Sequence, residues 1–230
     1  RDLEKANRLA SLVEATGINH FDQLNPNTDL VIIAISDQSI ADVIQKINHY
    51  LQQALIVHTS GSTSLEVLST VHERSGVFYP LQTFSHERAI DWAETPMFVE
   101  AVRHNDLELL ASLAHSLTSK VYQYSSQQRQ TLHMAAVFAC NFSNYCYDLS
   151  KQIVDEQQVD FSLLYPLILE TAQKATINNP KEMQTGPAMR GDENILKMHQ
   201  QLLEKNSGSD LVDVYKLLSE SIMKRHLHEK

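Results

Sequence analysis

From Gln130 to Tyr147 the chain carries no Asp, Glu, Lys or Arg, and this run lies inside a longer stretch, Ser125 to Gln157, that reads as a single helix. Ser125 followed by Gln128 is a capping box, in which the hydroxyl accepts from the N3 amide and the Gln side chain returns to the cap's own N–H. His133, Asn141, Ser143 and Asn144 interrupt the apolar residues, which argues against a membrane span and for a helix buried in protein. So apolar a helix needs covering, and the chain beyond it is short, so a second copy is expected to supply part of the cover.

At about 100° per residue, Ser126, Gln130, Asn141, Asn144 and Asp148 fall within about 80° of His133 and form one polar stripe. Such a stripe fits either a solvated face or the wall of a binding site. Its imidazole and amide groups favour the second, because solvated faces are usually built from Lys, Glu and Arg.

Before this helix, strand and helix signals alternate. Residues 2–15 read as a helix closed by Gly17, with a short strand at 18–20. LVIIAI (30–35) and LIVH (55–58) are continuous apolar runs of the kind found in strands buried on both faces. Helices are expected at 39–52, 64–74 and 106–117, and further strands in VFYP (77–80), 95–101 and 121–124. Alternation of this sort predicts a parallel sheet. Beyond Ser125 the strand signals stop, and helices are expected at 160–177, restarting near Pro166, at 192–205 and at 210–226, with 177–191 a loop. The fold class is therefore α/β, with a sheet domain at 1–124 and an all-helical domain at 125–230.

With 230 residues and 43% hydrophobic content, the chain can fill two modest cores. The net charge of −9 argues against nucleic acid or an anionic membrane as partner, since both need clustered cations. Cys140 and Cys146 point about 120° apart on one helix and cannot pair within it, so a reducing, cytoplasmic location is expected. No metal is expected, because the histidines lack paired ligand spacing.

In an open parallel sheet, ligands sit beyond the carboxyl ends of the strands. The residues there are Ser36 and Asp37 after the first buried strand, His58, Ser60 and Ser62 after the second, and Gln82 and Thr83 after the third. Ordinary turn chemistry explains many such residues; a histidine beside a small-residue turn also suits an open crevice. The loop Gln184 to Arg190, with Thr185 inside it, offers backbone amides and a guanidinium to an anion, or is simply a linker.

HTSGS (58–62), FYPLQTFS (78–85), LHMAAVFACNFSNY (132–145) and QTGPAMRGD (184–192) together resemble bacterial Rossmann-like proteins with a C-terminal helical domain of unknown function, provisionally described as NADP oxidoreductases. These are more distantly similar to pyrroline-5-carboxylate reductase, prephenate dehydrogenase and 6-phosphogluconate dehydrogenase-like enzymes. The resemblance implies a dinucleotide-binding domain, a helical domain that dimerises through the long helix, and an active cleft between them. It implies NADP, with NAD the alternative, bordered by Arg1, Ala34, Ile35, Ser36, Asp37 and His58. Ser60, Ser62, Gln82, Thr83, His133, Asn141 and Asn144 would line the cleft, and Gln184, Thr185 and Arg190 would close it.

Two departures qualify that picture. The strand, Gly-rich turn and helix that such proteins use to cradle pyrophosphate are not in this sequence, so a truncated Rossmann-like sheet is expected and the chain is expected to lack its natural N-terminus. Many relatives also carry a Lys proton donor on the long helix, and none stands between Ser125 and Ser150. His133 is the expected replacement, because imidazole exchanges protons near neutrality, with Asn141 orienting the substrate. The expected function is hydride transfer between NADP and a small carbonyl, imine or hydroxy compound. The alternative is a non-catalytic dimeric protein that binds or senses a small ligand.

Overall fold

The computed structural model describes residues 2–85, 88–206 and 209–227, and the chain divides into two compact units, 1–139 and 140–230. In the first unit, helix α1 (Leu3–Leu12) precedes a five-stranded sheet ordered β1 (Leu30–Ile33), β2 (Leu55–His58), β3 (Ser75–Pro80), β4 (Met97–Ala101) and β5 (Val121–Gln123). Strands β1, β2 and β3 run parallel, β4 is antiparallel to β3, and β5 is parallel to β4. The reversal has a local cause. A parallel pair needs a crossover element, but between Pro80 and Met97 the described residues form only turns, so β4 returns beside β3 with Pro80 opposite Met97.

Alternation along β2 joins two cores. Ile56 packs with Ile40, Ile44 and Ile47 of α2 (Ile40–Ile47), whereas Leu55 and Val57 pack with Leu110 and Ala114 of α4 (His104–His115). Helices on both faces are why the strand reads as an unbroken apolar run. Each of these fully buried aliphatic side chains stabilises the fold by roughly 1.5–3 kcal/mol. A third cluster, Val77, Tyr79 and Phe98 with Leu65, Tyr124 and Leu132, lies where α5 (Ser126–Ala136) meets the sheet.

Several elements differ from the sequence reading. No strand forms at 18–20, because the Gln23 side chain accepts from the N–H groups of Asn19 and His20 and takes the donors a ladder would use. Helix α1 ends at Leu12, with Glu14 in the left-handed region at φ 53°. Gly17 is needed for close approach instead, since a Cβ there would lie 2.8 Å from the Asn7 backbone nitrogen. Helix α3 spans only Glu66–Ser69.

The long helical stretch begins as expected, with the Ser125–Gln128 capping box formed. It is not one regular helix. A π-helical segment, Val137–Phe142, separates α5 from α6 (Ser143–Glu156). A π turn admits an extra residue and rotates the helix beyond it, so the constant 100° step that joined His133 to Asn144 in one stripe does not hold across the segment.

The second unit continues with α7 (Tyr165–Ile177), which carries Pro166 in its first turn, where no N–H is required. Within the segment expected as a loop, α8 (Pro187–Arg190) forms, and α9 (Glu193–Asn206) and α10 (Ser209–Leu227) come after it. Ala188, Leu196, Leu203 and Val212 are buried here, whereas α6 and α7 bury no residue. Among the described residues no helix is long and apolar enough to cross a membrane.

Candidate active site at the ends of the central strands

The loop after β2 is built by its own polar side chains. Ser60, buried, accepts through Oγ from the N–H groups of Ser62 (3.1 Å) and Thr63 (2.9 Å), and the Ser62 hydroxyl donates to the Asp37 carboxylate at the end of β1. The Ser60 N–H donates to His58 Nδ1 at 3.1 Å, which leaves the neutral ring's proton on Nε2. His58 has no exposed surface, so the crevice-facing role expected of it is not what the structure shows. Burial first, and the positive charge of Arg129 second, lower its pKa to about 4, and it is neutral at pH 7.

Arg129 of α5 fixes the outer part of the same loop. Its Nη1 donates to the carbonyls of Ser60 (2.8 Å) and Gly61 (3.0 Å), and Nη2 donates to Ser126 Oγ (3.0 Å) and approaches Glu100 Oε2 of β4 at 3.4 Å. Ser126 in turn donates from both N–H and Oγ to Glu100. Burial pulls the guanidinium below its ordinary pKa, and the Glu100 carboxylate pulls it back. Gln130, one residue on, donates to the Ser62 carbonyl at 2.9 Å. A buried charge tied to two backbone carbonyls makes this loop a rigid platform.

One turn further along α5, the half-buried His133 meets that platform. The Tyr79 hydroxyl at the end of β3 lies 3.3 Å from His133 Nδ1, with the rings edge to face. A Cβ on Gly61 would fall 2.5 Å from His133 Nδ1 and 2.8 Å from Tyr79 Cζ, so the glycine is there to let the histidine in. Burial pushes the Tyr79 phenol up, and it stays protonated at neutral pH.

Sequence reasoning missed Arg129, Glu100 and Tyr79. The signal for Arg129 was present as an arginine one residue before the uncharged run, but nothing local marks it as buried. Of the other expected site residues, Ala34, Ser36 and Asp37 are exposed beyond β1 and Ile35 is half-buried. Gln82 and Thr83 are exposed and line a cavity of about 260 Å³ with Arg88, Asp91 and Glu94, separate from the Tyr79–His133 contact. Arg1 lies outside the described residues. Asn141, in the π segment, and Asn144, on α6, are exposed and belong to the second unit. So do Gln184, which donates to the Thr185 carbonyl at 3.0 Å, and the exposed Thr185 and Arg190.

A nicotinamide dinucleotide fits this first-unit cluster in part. The Ala34–Ser36 segment beyond β1 offers an uncharged edge for a flat ring. The phosphates find no such match here: Arg129 is committed to the loop and Glu100, the space beside Gly61 is filled by His133, and Asp37 is anionic.

Residues 95–222 match the family model described as a domain of unknown function, DUF2520. No curated protein matches the chain. A solved structure from Bacteroides fragilis, provisionally classed as an NADP oxidoreductase, shares 39% identity over 97% of this chain and 86% of its own, with a TM-score of 0.89. A Thermotoga maritima protein shares 21% identity over 100% and 89% (TM-score 0.71), and a reductive aminase from Aspergillus terreus 14% over 98% and 84% (TM-score 0.69). The likeness in fold extends, as the sequence motifs implied, to prephenate dehydrogenase from Aquifex aeolicus (14% identity over 97% and 87%, TM-score 0.52) and pyrroline carboxylate reductase from Plasmodium falciparum (12% over 91% and 82%, TM-score 0.50). The chain has the Rossmann-like α/β fold with a helical C-terminal part, and it belongs to the DUF2520 family.

Proposed function

We propose that the protein is an NADP-dependent oxidoreductase acting on a small carbonyl, imine or hydroxy compound, with His133 exchanging the proton that accompanies hydride transfer. The observation that carries this reading is an imidazole that contacts Tyr79 and Gly61 beside the carboxyl ends of β2 and β3, where an open parallel sheet places its ligands. The B. fragilis and A. terreus relatives support the reaction class. When bound, NADPH supplies the hydride. The Ala34–Asp37 turn would border its nicotinamide end. Ser62, held by Asp37 and Gln130, keeps the loop rim in place, and His133 donates to, or accepts from, the reacting oxygen or nitrogen.

The protein is further proposed to act as a homodimer, because α6 and α7 bury nothing while Tyr145, Leu163, Leu167, Leu169 and Ile177 are exposed. Unpaired Cys140 and Cys146 support a reducing, cytoplasmic location. A thermal-shift screen of the protein with NADP, NAD and small acids tests the reading. Stabilisation by a dinucleotide supports it; stabilisation by acids alone favours a non-catalytic ligand-binding protein, consistent with the absence of a lysine between Ser125 and Ser150.

A further inference from the structure

We propose that Tyr79 is a positioning residue for His133: its hydroxyl donates to Nδ1 and so places the ring's proton on Nε2, the nitrogen left for a ligand. This rests on the proposed role of His133 and adds which atom does the work. The hydroxyl and Nδ1 are 3.3 Å apart, and the rings meet edge to face with centroids 6.3 Å apart. An imidazole nitrogen is a better acceptor than a phenol oxygen, and a protonated phenol beside it is a donor. Burial keeps Tyr79 protonated, so the hydrogen is available to give.

The geometry leaves Nδ1 few other partners. Gly61 packs against it so closely that one added carbon would overlap it. The Gly61 carbonyl is taken by Arg129, from which it accepts. Tyr79 is itself fixed, because it is buried in the third core cluster and its ring packs on Phe98 at 6.2 Å. The tyrosine side of the contact is therefore held by the core and the histidine side by its place on α5 against Gly61, and the hydrogen bond selects one tautomer rather than adapting to it. With its proton on Nε2, His133 donates a hydrogen bond to a carbonyl oxygen or imine nitrogen as negative charge develops there.

Long-range ¹H–¹⁵N correlation on the histidine-labelled full chain reads the tautomer directly, with His133 assigned from its loss in His133→Gln. The expected wild-type spectrum shows Nδ1 of neutral His133 as unprotonated and Nε2 as protonated. In Tyr79→Phe, which keeps the ring packing, both resonances should move toward the averaged positions of two exchanging tautomers. Gly61→Ala, which crowds the same contact, should produce the same movement if Tyr79→Phe folds poorly. A wild-type Nδ1 that carries the proton, or resonances unmoved by Tyr79→Phe, overturns the proposal. Turnover separates the two claims: full activity in His133→Ala rejects the catalytic reading while leaving the tautomer result to stand or fall alone.

Discussion

Arg129 and Glu100 tie the first turn of α5 to the last residues of β4, Nη2 to Oε2 at 3.4 Å, with the arginine side chain 1% exposed and the glutamate 19%. The same guanidinium satisfies the carbonyls of Ser60 and Gly61, so one side chain holds a helix, a strand and a loop. Arg129→Ala would leave two buried carbonyls without their donor and the partly buried Glu100 carboxylate without its counter-charge, with only Ser126 donating to it. The expected loss is about 3–5 kcal/mol of unfolding free energy by urea titration. Arg129→Lys should recover little of it, because an ammonium cannot reproduce the planar fork. A loss under about 1 kcal/mol for the alanine variant would mean that the network contributes nothing net.

His58 sets a pH dependence of known sign. Its folded pKa of about 4 lies below the unfolded value of 6.5, so the unfolded chain takes up the proton first as pH falls. The stability it contributes is complete above pH 6.5 and is lost progressively down to about pH 4. The gap corresponds to about 3 kcal/mol. His58→Asn removes the titrating group, so the decline in stability between pH 6.5 and about 4 should be shallower than in wild type by about that amount. Parallel curves for the two proteins would show that His58 is protonated at its ordinary pH in the fold.

Gly61→Ala places a methyl 2.5 Å from His133 Nδ1 and 2.8 Å from Tyr79 Cζ. Neither neighbour is the free end of a flexible chain, since Tyr79 is packed in the core and His133 sits on a helix. Overpacking of this kind costs about 1–3 kcal/mol. Activity should fall more steeply than stability, because the displaced imidazole is the proposed proton-exchanging group. A variant as stable as wild type, with a crystal structure in which His133 has not moved, would contradict the crowding.

The parts of this molecule that a local pattern specifies were legible in the sequence. Leu55 to His58 reads as a strand covered on both faces because α2 and α4 do cover it, and the Ser125–Gln128 cap is a four-residue signal that the structure reproduces. The reversal of β4 was not read: the alternation of strands and helices predicts a parallel sheet, whereas β4 runs antiparallel to β3 after a run from Leu81 to Pro96 that supplies no crossover helix. What no local pattern shows is burial supplied from far along the chain. Arg129 is buried by Ser60, Gly61 and Glu100, which lie 69, 68 and 29 residues away. The π segment escaped for a related reason: a helical wheel assumes the period that an inserted residue breaks. The candidate site is therefore legible as a set of strand ends and a helix face, but its connecting contacts are tertiary.

The exposed face of the second unit yields the last prediction. Leu163 and Leu167, one turn apart, are 70% and 63% exposed, and α7 buries none of its residues against its own chain. If a second copy covers them, each leucine contributes about 1.5–3 kcal/mol to association. Replacing both with glutamate would then weaken the dimer by at least about a hundredfold. The monomer itself should lose no more than about 0.5 kcal/mol, since both side chains already face solvent. Light scattering at micromolar concentration should give a mass of two chains for wild type and one for Leu163→Glu/Leu167→Glu, with matching thermal unfolding of the isolated monomer. A wild type that is already monomeric rejects the dimer, and a double variant that stays dimeric places the interface elsewhere.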